Sequence, residues 1–294
     1  MARPSFRSGF TLIELLVVIS IIAILVGLTA ASVQRVRAAA ARARCANNMR
    51  QIGLALHHYH DSQKSFPPGV SDKNGTTRWL SWRGYILPYV EQDAVWRTTM
   101  SAYKTDNNPF HNPPHTSCAT IIPAFLCPMD LHASTTRKYA SYGPMAFSSY
   151  LGVEGHFALA YDGALFHKSR IRIADIRDGA SNTLLLGERP SSPEGRFGWW
   201  YAGCGQRVWS DGSADAVLPV REINQLVSGC PFGPYRYEAG NLNNPCDALH
   251  YWSVHPGGAH FAFADGSVRL LAYSADSIMP ALATREGGEA VSPP

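Results

Sequence analysis

The chain's 294 residues leave room for one large domain or two small ones, and a 46% hydrophobic content is enough to fill a core. Its formal net charge of +4 belongs to one end: residues 1–50 carry seven Arg against a single acid, Glu14, while the remainder holds 19 basic and 21 acidic residues. A near-neutral body without a basic face excludes nucleic acid as the expected partner.

The first element is apolar. From Phe10 to Ala30, 21 residues contain one formal charge, with Gly27 as the only helix-weakening residue. At about 1.5 Å per residue the run crosses a hydrocarbon core of roughly 30 Å, so it reads as a membrane segment. A cleaved secretory signal would have a shorter apolar stretch closed by a small-residue cleavage site, whereas this run passes directly into helix-favouring sequence. No proline lies between Pro4 and Pro67, and Cys45, Met49, Ile52, Leu56 and Tyr59 recur at spacings of 4, 3, 4 and 3. That pattern is one apolar helical stripe. A helix is therefore predicted over about residues 10–60, its amphipathic continuation at 31–60 packing on the rest of the chain. Arginines flank the apolar run on both sides, so charge alone leaves its orientation open.

Glu14 is the anomaly. A lone carboxylate near mid-bilayer costs about 2.5 to 3.5 kcal/mol on insertion scales, so it needs a partner. Gly9-Phe10-Thr11-Leu12-Ile13-Glu14, preceded by a basic leader, resembles the prepilin signal of type IV pilins and type II secretion pseudopilins. The resemblance implies that residues 1–9 are a leader removed by a prepilin peptidase between Gly9 and Phe10, that Phe10 is then N-methylated, and that Glu14 is needed for assembly. In a bundle of such helices the partner of Glu14 would be the Phe10 ammonium of a neighbouring subunit. The plainer alternative is a signal anchor whose Glu14 lies near the headgroups.

The helix is expected to end near residues 61–65, before Phe66-Pro67-Pro68-Gly69. A head domain is assigned to 61–284. It should open with a helix over about 87–100 and a long turn-rich loop at 104–119. Strands are predicted in GALFH, RIRIA, NTLLLGE and WWYAG, and in a terminal hairpin, HFAFADGSVRLL. Read as a two-residue turn at Asp265-Gly266, the hairpin puts Phe263 opposite Val268 and Phe261 opposite Leu270, on an apolar face directed at the long helix. Residues 285–294 read as a frayed tail.

Six cysteines on the extracytoplasmic side would ordinarily form disulfides, and none of their spacings makes the C-x-x-C pair of a zinc site. Cys45 lies on the helical stripe as a candidate buried thiol; Cys204, Cys230 and Cys246 occupy a loop-rich region that a staple would help, and Cys118 could close a short loop with Cys127. Two histidine groups invite a metal or acid–base reading. His57 and His60, with Asp61, share one helix face, beside His58; His250, His255 and His260 precede Asp265. For both, structural roles are the expectation: helix-end contacts for the first, loop and turn bracing for the second. Asp162, Asp175, Asp178 and Asn182 form an oxygen-rich stretch that could hold calcium, although its spacing is not that of an EF-hand and the same residues serve turns. No nucleophile elbow, H-E-x-x-H helix or phosphate-binding glycine loop is present, so the expectation is a protein that is not an enzyme.

Internal blocks extend the resemblance across nearly the whole chain. CANNMRQIGLALHHYHDSQKSFPPG, SWRGYILPYVEQ, FLCPMD and DGASNTLLLGE are similar to segments of a prepilin-like subfamily of unassigned function, and HPGGAHFAFADG fits its processing-associated H-X9-DG signature through His255, Asp265 and Gly266. The resemblance implies an α+β, pilin-like fold in which the long helix packs against an antiparallel sheet. It implies a single-pass inner-membrane protein with an extracytoplasmic head, whose partners are the prepilin peptidase and other pilin-like subunits. The competing reading is a non-polymerising, membrane-anchored binding protein for an extracytoplasmic solute or carbohydrate.

Overall fold

The computed structural model describes residues 11–140, 142–207 and 211–289, and the side chain of Ala31 lies outside that description. The chain divides into two compact units, Met1–Arg42 and Ala43–Pro294. Helix α1 spans Leu12–Gln63 and contributes to both.

In the first unit α1 carries exposed large apolar side chains from Leu12 to Val36, with Leu12 at 79% and Leu28 at 66% exposure. It is the one described helix long and apolar enough to cross a membrane. Its few hydroxyls are satisfied from within: Ser20, Thr29 and Ser32 donate to the carbonyls of Leu16, Leu25 and Leu28 at 2.7, 2.9 and 3.2 Å. A segment surrounded by hydrocarbon requires this, because no water is there to take the hydrogen bond.

In the second unit the predicted stripe of α1 is buried: Cys45, Met49, Ile52 and Leu56 are each 0% exposed. Burying a side chain of this size stabilises by roughly 1.5 to 3 kcal/mol, which explains why the helix continues so far from the apolar run. It stops at Gln63, where Lys64 turns to φ 63° ahead of the two prolines.

The 87–100 expectation resolves into three pieces: α2 (Trp82–Tyr85), a 3-10 turn at Leu87–Val90, and α3 (Asp93–Thr105). Glu91 interrupts them with φ 60°. Of the expected 104–119 loop, residues 104 and 105 end α3 and the last turn, Thr116–Ala119, is a 3-10 segment; the rest is irregular.

Strands β1 (Arg137–Lys138) and β2 (Pro144–Met145) form a small ribbon. The main sheet comprises β3 (Tyr150–Val153), β4 (Leu184–Glu188), β5 (Val217–Leu218), β6 (Gly258–Phe263) and β7 (Val268–Ala272), in the order β5-β3-β4-β6-β7. It is mixed: β3 and β5 run parallel and every other pairing is antiparallel. NTLLLGE is β4 as expected, but GALFH, RIRIA and WWYAG are not ladder strands. They contribute single bridges such as Val70 to His167 and Leu80 to Ala202, or a 3-10 turn at Ile173–Asp175. GALFH and WWYAG bury most of their apolar side chains by packing, and Ile171 and Ile173 of RIRIA are half-buried; Trp200, for example, is fully buried and donates Nε1–H to the Thr120 carbonyl at 2.8 Å.

The hairpin forms with a register one residue away from the expected one. Ala262 faces Val268 and Phe261 faces Arg269, because the Phe263 N–H bonds the Ser267 carbonyl at 2.9 Å across a three-residue loop. Gly266, at φ 84°, supplies the left-handed position such a loop needs. A slip of one residue exchanges the faces of a strand. Ala262 and Ala264 therefore meet the α1 layer with Met49 and Ile52, whereas Phe261 and Phe263 pack in a second core with Tyr237, Tyr251, Met279 and Leu282. The sheet is thus covered on both faces, and β3, β4 and β6 are buried throughout. Helix α4 (Met279–Ala283) lies in the second layer.

The expected tail is anchored where it is described. The Arg285 carbonyl accepts the N–H groups of Arg177 and Asp178, and Gly287 and Gly288 donate to the Asp178 carboxylate at 2.7 and 2.9 Å. Residues 290–294 lie outside the described part.

Burial also gives the head a pH response. His57, His115 and His167 are each held below the ordinary histidine value, in every case first by burial. A base whose folded value is depressed contributes stability that is complete above its unfolded value, about 6.5, and is lost as pH falls through it. Denaturation midpoints should therefore drop between about pH 7.5 and about pH 5.5, and less so in His57→Phe, which packs an uncharged ring beside Phe66. An identical drop in that variant would remove His57 from the account.

Candidate functional site

At the amino terminus, Gly9 and Phe10 lie outside the described residues, and Glu14 is the first functional side chain in view. Its carboxylate accepts the Thr11 backbone N–H at 2.9 Å and the Thr11 hydroxyl at 2.7 Å, while the Glu14 N–H donates to the Thr11 hydroxyl at 3.3 Å. This is a reciprocal cap: threonine and a glutamate three residues on satisfy N–H groups that the first helical turn leaves unpaired. The T-x-x-E spacing was present in the sequence, and reading Glu14 only as a membrane anomaly passed over it. Within one chain, Glu14 thus already has a polar partner.

The disulfides join residues that sequence spacing did not pair. Cys45 is bonded to Cys127 and Cys230 to Cys246. Cys45 is therefore a bridge to the head rather than a buried thiol, and Cys118 does not close a loop with Cys127; Cys118 and Cys204 are free. Asn48, one turn along from Cys45, donates to the Leu126 carbonyl at 2.8 Å and reinforces the same junction.

The helix-end histidines separate. His60 Nε2 accepts the Ile173 N–H at 3.2 Å, the His58 ring stacks on Tyr89 with centroids 6.4 Å apart, and His57 faces the hairpin loop at Gly266. The oxygen-rich stretch is likewise occupied by its own surroundings. Asp162 binds the His156 ring and N–H, Asp175 pairs with Arg172, and Asp178 takes the N–H groups of Gly287 and Gly288 while its carbonyl accepts from Asn182. Among the described residues these carboxylates do not converge into a ligand cluster.

The second histidine group is split by the fold. Asp265 caps the hairpin loop by accepting the Ser267 N–H at 2.8 Å, and His250 turns to Asp247 at 3.3 Å. His255 and His260 instead converge on Glu188, the last residue of β4. The Glu188 carboxylate accepts the His260 backbone N–H at 2.7 Å and lies 3.2 Å from His260 Nδ1, with His255 Nε2 at 3.8 Å. His255 Nε2 is also 3.4 Å from Cys127 Sγ, so the cluster abuts the Cys45–Cys127 bridge. Glu188, His255 and both cysteines are buried, and sequence reasoning missed the glutamate because nothing in β4 marks it apart from the strand itself.

A second buried charge cluster lies just beyond the ends of β3 and β5. Arg207 pairs with Glu154, with Asp211 at 2.8 Å and with Glu222 at 3.9 Å, all four with side chains 0% exposed. Burial raises Glu154 and Glu222 above the usual carboxylate range even beside the guanidinium. Ser213 and the Ile223 N–H bond Glu222, and Tyr161 donates to Asp211 at 3.2 Å.

A capped apolar helix in one unit and an α+β head in the other define a pilin-like, membrane-anchored protein with a C-terminal head. Residues 34–277 match the family described as protein of unknown function (DUF1559), and residues 5–30 match the prokaryotic N-terminal methylation motif. The chain belongs to that DUF1559 family and carries a prepilin-type amino terminus, which implies processing by a prepilin peptidase and association with the membrane. No curated protein and no solved structure matches it.

Proposed function

We propose that the chain is a prepilin-type subunit that is cleaved between Gly9 and Phe10, methylated on Phe10 and assembled through α1 into a type IV pilus-like or type II secretion pseudopilus-like fibre. The observation that carries this reading is the methylation motif over residues 5–30, set on an apolar run, residues 10–30, whose sole acid is Glu14. In the assembled bundle the Phe10 ammonium of one subunit neutralises the Glu14 carboxylate of the next, in place of the Thr11 cap that serves the single chain. The role is structural rather than enzymatic, the membrane is the inner membrane, and the head faces outward from it.

The test is amino-terminal sequencing with intact-mass measurement of the protein purified from membranes. The expected product begins at a methylated Phe10. A product that starts at Met1 or Ala2 would overturn the proposal.

A further inference from the structure

Glu188 poses a charge problem that its surroundings leave half solved. It is 2% exposed, and its ion-pair partners among the described residues are two imidazoles, His255 and His260. A carboxylate taken out of water is costly unless a cation accompanies it. Beside it stand the two sulfurs of Cys45 and Cys127, and one ligand atom from each of Cys45, Cys127, Glu188 and His255 falls within a sphere where all lie within 4.8 Å of one another.

We propose that the thiol form of this cluster is a zinc-class divalent metal site with Cys45, Cys127, His255 and Glu188 as its four ligands. The donor set is two thiolates, one imidazole and one carboxylate, which suits a borderline-soft cation in tetrahedral geometry. Metal–ligand bonds of about 2.0 to 2.3 Å place neighbouring donor atoms roughly 3.3 to 3.8 Å apart. The observed separations of His255 Nε2 from Cys127 Sγ and from Glu188 Oε1, 3.4 and 3.8 Å, already meet that requirement. The two sulfurs must part by side-chain rotation, and the other donor atoms, all within 4.8 Å of one another, close onto the cation. His260 then takes the outer position, donating to the ligating carboxylate through its backbone N–H and facing it with Nδ1.

The chain is synthesised with both thiols, so binding needs no electron transfer: each thiol releases one proton and the cation takes the two thiolates. From the bridged state, a dithiol reductant supplies two electrons and two protons and itself closes to a disulfide. Bridge and metal are therefore alternative ways of fastening α1 to the head at one place. This inference concerns the head alone and is independent of fibre formation.

The test uses the full-length protein in detergent, with Cys230 and Cys246 replaced by Ala to remove the other bridge, reduced anaerobically and titrated with Co2+. The expected result is one equivalent bound, with tetrahedral ligand-field bands and a thiolate charge-transfer band, both absent from the oxidised protein. His255→Ala and Glu188→Gln should each weaken Co2+ binding at least about tenfold, since each removes a ligand. Bands that fail to form, or that persist unchanged in both variants, would overturn the proposal. Should a variant not fold, the melting temperature with Zn2+ decides: a rise confined to the reduced protein supports the site, and no rise, or an equal rise in the oxidised protein, overturns it.

Discussion

Glu14→Val should leave membrane insertion intact and cut fibre yield at least about tenfold, because an intersubunit contact worth only about 1.4 kcal/mol changes the association constant tenfold at every addition. The substitution removes the one unfavourable residue from the apolar run, so insertion itself loses nothing. Its effect on assembly must be separated from the loss of the helix cap, since Glu14 also accepts from Thr11. Thr11→Val is the control. It keeps the carboxylate and the Thr11 backbone donor, loses the hydroxyl, and costs the helix about 0.5 to 2 kcal/mol. Sheared-fibre and membrane fractions, compared by immunoblot, should show Thr11→Val close to the parent and Glu14→Val depleted only in the fibre fraction. Parental yield from Glu14→Val would refute intersubunit pairing, and equal depletion in both variants would reassign Glu14 to capping.

Removal of Arg207 carries the largest effect expected on the stability of the head. Arg207→Met leaves Glu154, Asp211 and Glu222 buried against one another with no cation among them, and breaking a buried pair in this way typically costs about 3 to 5 kcal/mol. The deficit depends on pH with a definite sign. A carboxyl whose folded value is raised is stabilised by the fold only while protonated, so the destabilisation grows as pH rises through the ordinary glutamate value, about 4.5, toward neutrality. Urea denaturation should accordingly show a larger loss at about pH 7.5 than at about pH 4.5. Adding Glu154→Gln and Glu222→Gln to Arg207→Met should recover a substantial part of it. A loss independent of pH, with no recovery in the combined variant, would show that packing of the Arg207 side chain matters and its charge does not.

The two clusters show where sequence reasoning stopped. Arg207 has one near partner, Asp211 four residues on, but gathers Glu154 and Glu222 from afar, and Glu188 gathers groups from 45, 127 and 255, so neither cluster as a whole has a local spacing to read. Cysteine pairing was illegible for the same reason: Cys45 and Cys127 are 82 residues apart, and Cys45 was visible only as a member of the helical stripe. The hairpin was recognised, yet its register was not, because Asp265-Gly266 suits both a two-residue loop and the three-residue loop that forms. What distinguishes them is which face must be thin. Ala262 and Ala264 fit under α1, and the phenylalanines have room in the opposite layer.

The sequence by itself determined the elements whose hydrogen bonds and burial are settled locally. The apolar run, the stripe from Cys45 to Leu56, the helix stop before Pro67 and strand β4 needed no knowledge of their neighbours. A helix closes its own backbone bonds, and in hydrocarbon it has no alternative. Tertiary structure alone decided which segments pair, which face of the hairpin meets the helix, and which charges and thiols share the interior. Those outcomes depend on contacts between residues far apart in the chain, whose energies exist only after the chain has brought them together.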